Sequence, residues 1–186
     1  NGYTVKSTID VNVQGIMEQH IQKFMKNTGA KKIACLLMNP NTGGIVAMGS
    51  NSVYDLNDPR NLSVAYTQEE ISAMSEEEQL KALNELWRNY CISDSYEPGS
   101  TFKPITAIAG LEEGIISGDT YVTCTGTYEY GGQTFRCNNH DTPMTLNVTD
   151  ALKYSCNTFF YTVGQKLTGE HLEQWTKKFG LGTATG

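Results

Sequence analysis

The sequence lacks three things that would assign it to a membrane or a nucleic acid. No apolar run approaches the ~18 residues needed to cross a bilayer. No basic surplus exists: 14 Lys and Arg stand against 20 Asp and Glu, a net charge of -6. Binders of nucleic acid or of anionic lipid carry a basic stripe, so this balance argues against both. No initiating methionine or targeting segment opens the chain, which begins NGYTVKSTID. That start is expected of an excised segment, which leaves an anchor elsewhere in the parent open. Internal repeats and low-complexity tracts are missing too. An even cysteine count is also missing: Cys35, Cys91, Cys124, Cys137 and Cys156 are five, a poor fit to a framework made only of disulfides.

What is present suits one domain of ordinary size, 186 residues of which 39% are hydrophobic. Asp10 as N-cap, apolar Val13, Ile16, Met17, Ile21 and Phe24, and Gly29 as a stop predict a first helix, with His20 as a core or rim histidine. Ile33 to Met38 and Ile45 to Met48 read as two strands joined by the turn residues Asn39 to Gly44. Because both runs are apolar on both faces, they are expected to be covered on both sides. The acidic stretch TQEEISAMSEEEQLKALNELW predicts a solvated helical face with Leu80, Leu83 and Leu86 docking inward. YVTCTGTYEYGGQTFRCNNHD predicts a small hairpin around Gly131-Gly132. TLNVTDALKYSCNTFFYTVGQKL predicts two helical pieces meeting near Ser155, and EHLEQWTKKFG one more short helix.

The chemistry concentrates in YEPGSTFKPITAIAGLEEG, Tyr96 to Gly114. Ser100 and Lys103 are three residues apart at a helix start marked by Pro98-Gly99 and Pro104, so they share a face. A serine hydroxyl is a poor nucleophile until a base takes its proton, and lysine is that base only when neutral. Burial near Phe102 and Ile105 and the positive end of a helix dipole both favour the neutral amine. The same helix start can favour the oxyanion of acyl transfer. A bare S-x-x-K is common by chance and otherwise reads as a cap and a surface lysine. Ser155-Cys156-Asn157, an S-x-N at the junction of two helices, adds a hydroxyl and a carboxamide able to relay a leaving-group proton and bind a substrate amide. S-x-x-K with a downstream S-x-N and a later K-T-G is the known set of class A β-lactamases and penicillin-binding proteins.

Nearly the whole chain resembles the class B, high-molecular-weight penicillin-binding proteins, the D,D-transpeptidases that cross-link peptidoglycan. STIDVNVQ, MNPNTGGIVAMGSNSVYDLNDPR, LWRNYCISDSYEPGSTFKP, ALKYSCNTFF and FGLGTATG carry the resemblance. It implies an α+β penicillin-binding and serine β-lactamase-like fold, here its N-terminal portion: the first hairpin of a five-stranded antiparallel sheet plus a helical subdomain. It implies Ser100 as nucleophile and Lys103 as general base, with Ser155 and Asn157 in proton relay and substrate binding. It implies a stem peptide ending in D-Ala-D-Ala as substrate, and β-lactams as inhibitors. The parent is then expected at the extracytoplasmic face of the bacterial membrane, anchored and working with a glycosyltransferase partner, with no nucleic acid involved. The departure from the family is the K-T/S-G motif, which residues 1–186 do not contain, Thr185-Gly186 lacking the lysine. The expectation is that the segment holds the first part of the domain and that the motif lies beyond it. A class D-type β-lactamase or β-lactam sensor shares the S-T-F-K string but carries S-x-V at the second motif. A catalytically inert binding module is the third reading.

Cys124, Cys137 and His140 follow C-x12-C-x2-H, and with Cys156 they form a Cys3His set of a type that holds structural zinc; Asp141 is an alternative ligand. A Cys124–Cys137 disulfide closing the hairpin is the competing reading, which the extracytoplasmic setting allows. Cys35 and Cys91 are assigned to packing, and His171 is left without a role.

Overall fold

The structure is a computed structural model that describes residues 2–138 and 142–184. The chain forms two compact units, residues 1–96 and 97–186.

In the first unit, helix α1 (Val11–Thr28) begins where the Asp10 carboxylate accepts from the N–H groups of Asn12 and Val13, and it ends at Gly29 in the left-handed conformation. It lies on the antiparallel hairpin β1 (Ala34–Met38) and β2 (Ile45–Ser50), burying Met17 and Ile21 against Ala47. Gln14 clasps the hairpin: its amide donates to Met48 O and accepts from Met48 N, both at 2.9 Å. Helices α2 (Gln68–Ala73) and α3 (Glu76–Trp87) each open with a complete capping box, Thr67 with Glu70 and Ser75 with Glu78. They close over Leu62, Ala82 and Leu83, and a single turn, α4 (Tyr90–Ser93), follows.

Three expectations for this unit change. β1 is not covered on both faces: Leu36 and Leu37, which point to opposite sides of the strand, are 42% and 43% exposed, and Met38 is 53% exposed. Leu80 is 52% exposed, since the inward stripe of α3 runs through Ala82, Leu83 and Leu86. His20 lies on the exposed side of α1 and not in its core.

The second unit is built on two helices. A 3-10 turn, Gly99–Phe102, leads into α5 (Lys103–Glu112), which packs on α7 (Asn157–Lys178). Gly110 permits the approach: a Cβ there would stand 2.8 Å from Val163 Cγ1. Phe159, Val163 and Leu167 from α7 are fully buried with Ala109, Cys124, Ala151 and Cys156. α7 breaks at Thr168, whose φ of 65° separates the piece below Leu167 from the short terminal helix that the sequence predicts. Strands β3 (Val122–Cys124) and β6 (Met144–Leu146) pair antiparallel. Strands β4 (Thr127–Tyr130) and β5 (Gln133–Arg136) form the hairpin, turning at Gly131 and Gly132 with φ of 57° and 76°, the two positive values a two-residue hairpin turn requires. Helix α6 (Val148–Lys153), capped by Asn147, ends two residues before the Ser155-Cys156-Asn157 corner.

Candidate active site

Ser100 sits in the exposed 3-10 turn, and Lys103 is the first residue of α5, half-buried beneath it. The two are therefore not in one α-helical turn. The hydrogen bonds connect them through a third residue. Lys103 Nζ donates to Ser155 O at 2.7 Å, to Ser155 Oγ at 2.9 Å and to Asn157 Oδ1 at 2.7 Å. Ser155 Oγ in turn stands 3.2 Å from Ser100 Oγ. All four residues nominated from the two motifs thus meet in one hydrogen-bonded chain.

The corner between α6 and α7 makes this possible. Ser155 has φ of 53°, a left-handed conformation that costs a non-glycine residue about 1–3 kcal/mol and gathers at functional sites. Backbone bonds hold it: Ser155 N–H donates to Leu152 O and Cys156 N–H to Ala151 O. Asn157 is fixed from outside the corner, its Nδ2 donating to Arg136 O at 3.0 Å and its backbone N–H to Cys137 Sγ at 3.2 Å.

The lysine has two opposed influences. Burial lowers its pKa, and the thiolate forms of Cys137 and Cys156 would raise it. Burial prevails, and burial also pushes the Cys156 thiol up to about 12, so that thiol keeps its proton at neutral pH. The Phe160 ring, 5.7 Å from Lys103 Nζ, supplies apolar surface on one side. Three acceptors around Nζ match the three donors of an ammonium. A neutral amine has two donors and a lone pair. Ser155 O and Asn157 Oδ1 can only accept, so the lone pair of a neutral Lys103 must take its hydrogen from Ser155 Oγ. That reversal leaves Ser155 Oγ to accept from Ser100 Oγ. A cleft of about 450 Å³, lined in part by Gly99, Ser100, Lys103, Asn157, Phe160 and Tyr161, opens over the group.

Behind the corner, the middle residue of S-x-N faces away from the cleft. Cys156 is fully buried, and its Sγ lies 3.9 Å from Cys137 Sγ. The sulfurs of Cys124, Cys137 and Cys156 all fall within 4.8 Å of one another. Cys124 also donates to Thr158 Oγ1 at 3.3 Å. His140 and Asp141, the other nominated ligands, lie outside the described residues. No S–S bond occurs among the described residues. Cys91 packs on the hairpin of the first unit, its thiol 3.5 Å from the carbonyls of Cys35 and Gly49.

Residues 33–186 match the penicillin binding protein transpeptidase domain. The chain belongs to that family. Its relatives are class B members: it is 30% identical over 188 residues to stage V sporulation protein D of Bacillus subtilis and 28% identical over 187 residues to the peptidoglycan D,D-transpeptidase MrdA of Escherichia coli. The whole of this chain aligns with each, and covers 26% and 27% of their lengths. The chain thus spans about a quarter of the curated relatives it matches. The structure of the D,D-transpeptidase domain of a peptidoglycan glycosyltransferase from Eggerthella lenta superimposes with a TM-score of 0.69 at 26% identity, over 99% of this chain and 42% of that one. The α+β penicillin-binding fold that the family resemblance implies is therefore the fold observed. Two features of the site escape a motif reading: Phe160 beside the lysine, and Arg136, which holds Asn157 through a backbone carbonyl. The first was signalled only by the apolar run after Asn157, and the second by nothing in residue type.

Proposed function

We propose that this chain carries the nucleophile and proton relay of a peptidoglycan D,D-transpeptidase, a serine acyltransferase. The observation that supports the reading is the Ser100–Ser155–Lys103–Asn157 hydrogen-bonded chain. Ser100 Oγ attacks the carbonyl of the penultimate residue in a stem peptide ending in D-Ala-D-Ala. Its proton passes to Ser155 Oγ as the proton of Ser155 passes to neutral Lys103. The backbone N–H of Ser100 donates to the oxyanion. When the C–N bond breaks, the proton on Lys103 returns through Ser155 to the departing amine of D-Ala, leaving an acyl ester on Ser100. An acceptor amine then attacks the ester, and Ser100 recovers its proton by the same route. Asn157 positions Lys103 with Oδ1. A β-lactam enters as the donor peptide does, but its leaving amine stays tethered. The test is labelled penicillin added to the full-length protein, followed by peptide mapping. Label on Ser100 that persists for many minutes supports the transpeptidase. Rapid release would favour the β-lactamase alternative, and no label an inert module.

The pH dependence has a definite sign. The base is neutral Lys103, so the acylation rate rises with pH through the pKa of this lysine, which burial holds below its ordinary value of 10.5. Below that point the rate falls about tenfold per pH unit. Between the lowered folded pKa and the ordinary one, the unfolded chain holds a proton that the folded chain does not, so stability also rises with pH there. Stopped-flow acylation across pH 6 to 10 checks the first sign; a flat profile would remove Lys103 as base.

We also propose a structural zinc held by Cys124, Cys137 and Cys156, with His140, or alternatively Asp141, as the fourth ligand. A tetrahedral site with Zn–S of about 2.3 Å sets sulfurs about 3.8 Å apart, and the 3.9 Å between Cys137 and Cys156 fits. Zinc would turn the three thiols into thiolates, reversing the preference of Cys156 for its proton, and the charge of the ion would offset theirs at Lys103. Thr158 Oγ1 would then donate to Cys124 Sγ and orient it. With four protein ligands the ion would be structural, pinning the S-x-N corner to the end of β5. Elemental analysis of the purified protein is expected to give one zinc per chain, and chelation to lower the Tm and slow penicillin acylation. No zinc, with a Cys124–Cys137 disulfide by mass spectrometry, would replace this reading with the disulfide.

Among the described residues no helix is long and apolar enough to cross a membrane. We further propose that the parent protein works at the outer face of the bacterial membrane with a glycosyltransferase partner, and that the remaining sheet strands and the K-T-G motif come from outside residues 1–186. Leu36, Leu37 and Met38 of β1 are exposed apolar residues that such strands would cover.

A further inference from the structure

We propose that the aromatic groove between the β4–β5 hairpin and α7 is a sugar subsite that takes an N-acetylated pyranose of the substrate's glycan strand. The inference rests on the acyl-transfer reading above. Tyr128 and Phe135 are cross-strand partners on one face of the hairpin, and Tyr161 on α7 packs against both, with ring centroids 5.5 and 5.4 Å away. With Tyr130, Phe160 and Gln165 they line a groove of about 310 Å³. Phe160 and Tyr161 also line the cleft over Ser100, so the groove continues the catalytic cleft sideways. A donor acylated at Ser100 continues for several stem residues beyond the acyl carbon, at ~3.3–3.6 Å per residue, and a stem extended along the cleft would bring the group at its far end to these rings.

The lining identifies the class of that group. No charged side chain contributes, which disfavours the carboxylates of a stem peptide. A peptide strand would also bring backbone N–H and C=O groups that need partners on both edges. A pyranose presents C–H faces to stack on rings and equatorial hydroxyls that remain in water, which suits an open groove. Tyr130 is 57% and Tyr161 37% exposed, so rings are available without rearrangement. Gln165, already accepting from the Tyr128 hydroxyl, offers its amide N–H groups to an acetamido carbonyl.

The test compares two donors with one peptide: free pentapeptide, and the same pentapeptide on its N-acetylated disaccharide, using the full-length protein. Wild type is expected to acylate faster with the disaccharide form. Tyr128→Ala and Tyr130→Ala are expected to cut kcat/KM for that form about tenfold, the scale of one lost aromatic contact, while the free pentapeptide and penicillin change less than about twofold. Tyr128→Phe should retain the preference. Equal losses for both donors, or no preference in wild type, would overturn the subsite. Calorimetry of the disaccharide alone with Ser100→Ala protein separates the two ideas: binding that Tyr130→Ala removes supports the subsite even if no acyl-enzyme forms, and no binding counts against it.

Discussion

Lys103→Ala is expected to slow acylation of Ser100 by penicillin by about 10²–10⁴-fold, the usual loss on removing a general base, and Ser100→Ala to abolish labelling. The geometry adds a sharper expectation. Lys103 is bonded to Ser155 Oγ and Ser155 Oγ to Ser100 Oγ, so Ser155→Ala should cost nearly as much as Lys103→Ala. The double variant should cost little more than either single one, because residues acting as one unit are not additive. Lys103→Arg keeps the charge and cannot serve as base, and should be as slow as Lys103→Ala. The measurement is the second-order rate of fluorescent penicillin binding in the full-length protein. Multiplicative losses in the double variant would mean that Lys103 and Ser155 act on different protons, and the relay would have to be abandoned. Asn157→Ala removes an acceptor from Nζ and the tie to Arg136 together, so it should lower the rate by loosening the lysine while leaving its pH profile in place.

The local grammar of the chain was legible where one residue acts on its near neighbours. Asp10 and Gly29 bound α1 because capping is a matter of two or three residues, and Gly131-Gly132 marks a turn because both positions need positive φ. Ser100, Lys103, Ser155 and Asn157 were legible as two motifs, and the fold brings them together. Long-range events were not. β3 and β6 pair through three residues each, too short for periodicity to announce, and their partnership depends on the intervening hairpin closing. The left-handed backbone of Ser155, which sets its hydroxyl between lysine and nucleophile, has no signature in residue type, since serine is not favoured there. The three cysteines could be nominated as ligands from spacing, but their mutual approach follows from burial of Cys156 under the corner. The apolar run of β1 reads as doubly covered because hydrophobicity states what a strand can bury, and not which partners are at hand.

Phe159→Ala is expected to destabilise the protein by about 3–5 kcal/mol, the largest single loss anticipated in the second unit. Phe159 is fully buried, edge-on to Phe160 with centroids 5.3 Å apart, at the centre of the cluster formed by α5, α6 and α7. The position cannot collapse easily: Cys124, Ala151, Cys156 and Val163 around it are themselves fully buried and come from different elements. Phe159→Leu retains most of the volume and should cost clearly less than Phe159→Ala. The consequence for function follows from position. Phe159 lies two residues after Asn157 on the first turn of α7, so the cavity opens directly behind the S-x-N corner. Ser155 holds a strained φ that the surrounding packing must enforce. Loosening that packing should let Ser155 relax, lengthening its bond to Ser100. Phe159→Ala is therefore expected to lower penicillin acylation as well as the Tm, under conditions where circular dichroism shows the protein still folded. A Gly110→Val variant crowds the same helix pair from the other side, against Val163 and Ile116, and should lower the Tm without opening a cavity behind the corner. Full acylation in a folded Phe159→Ala protein would show that Ser155 is held by its own backbone bonds to Leu152 and Ala151, and that the core beneath it serves stability alone.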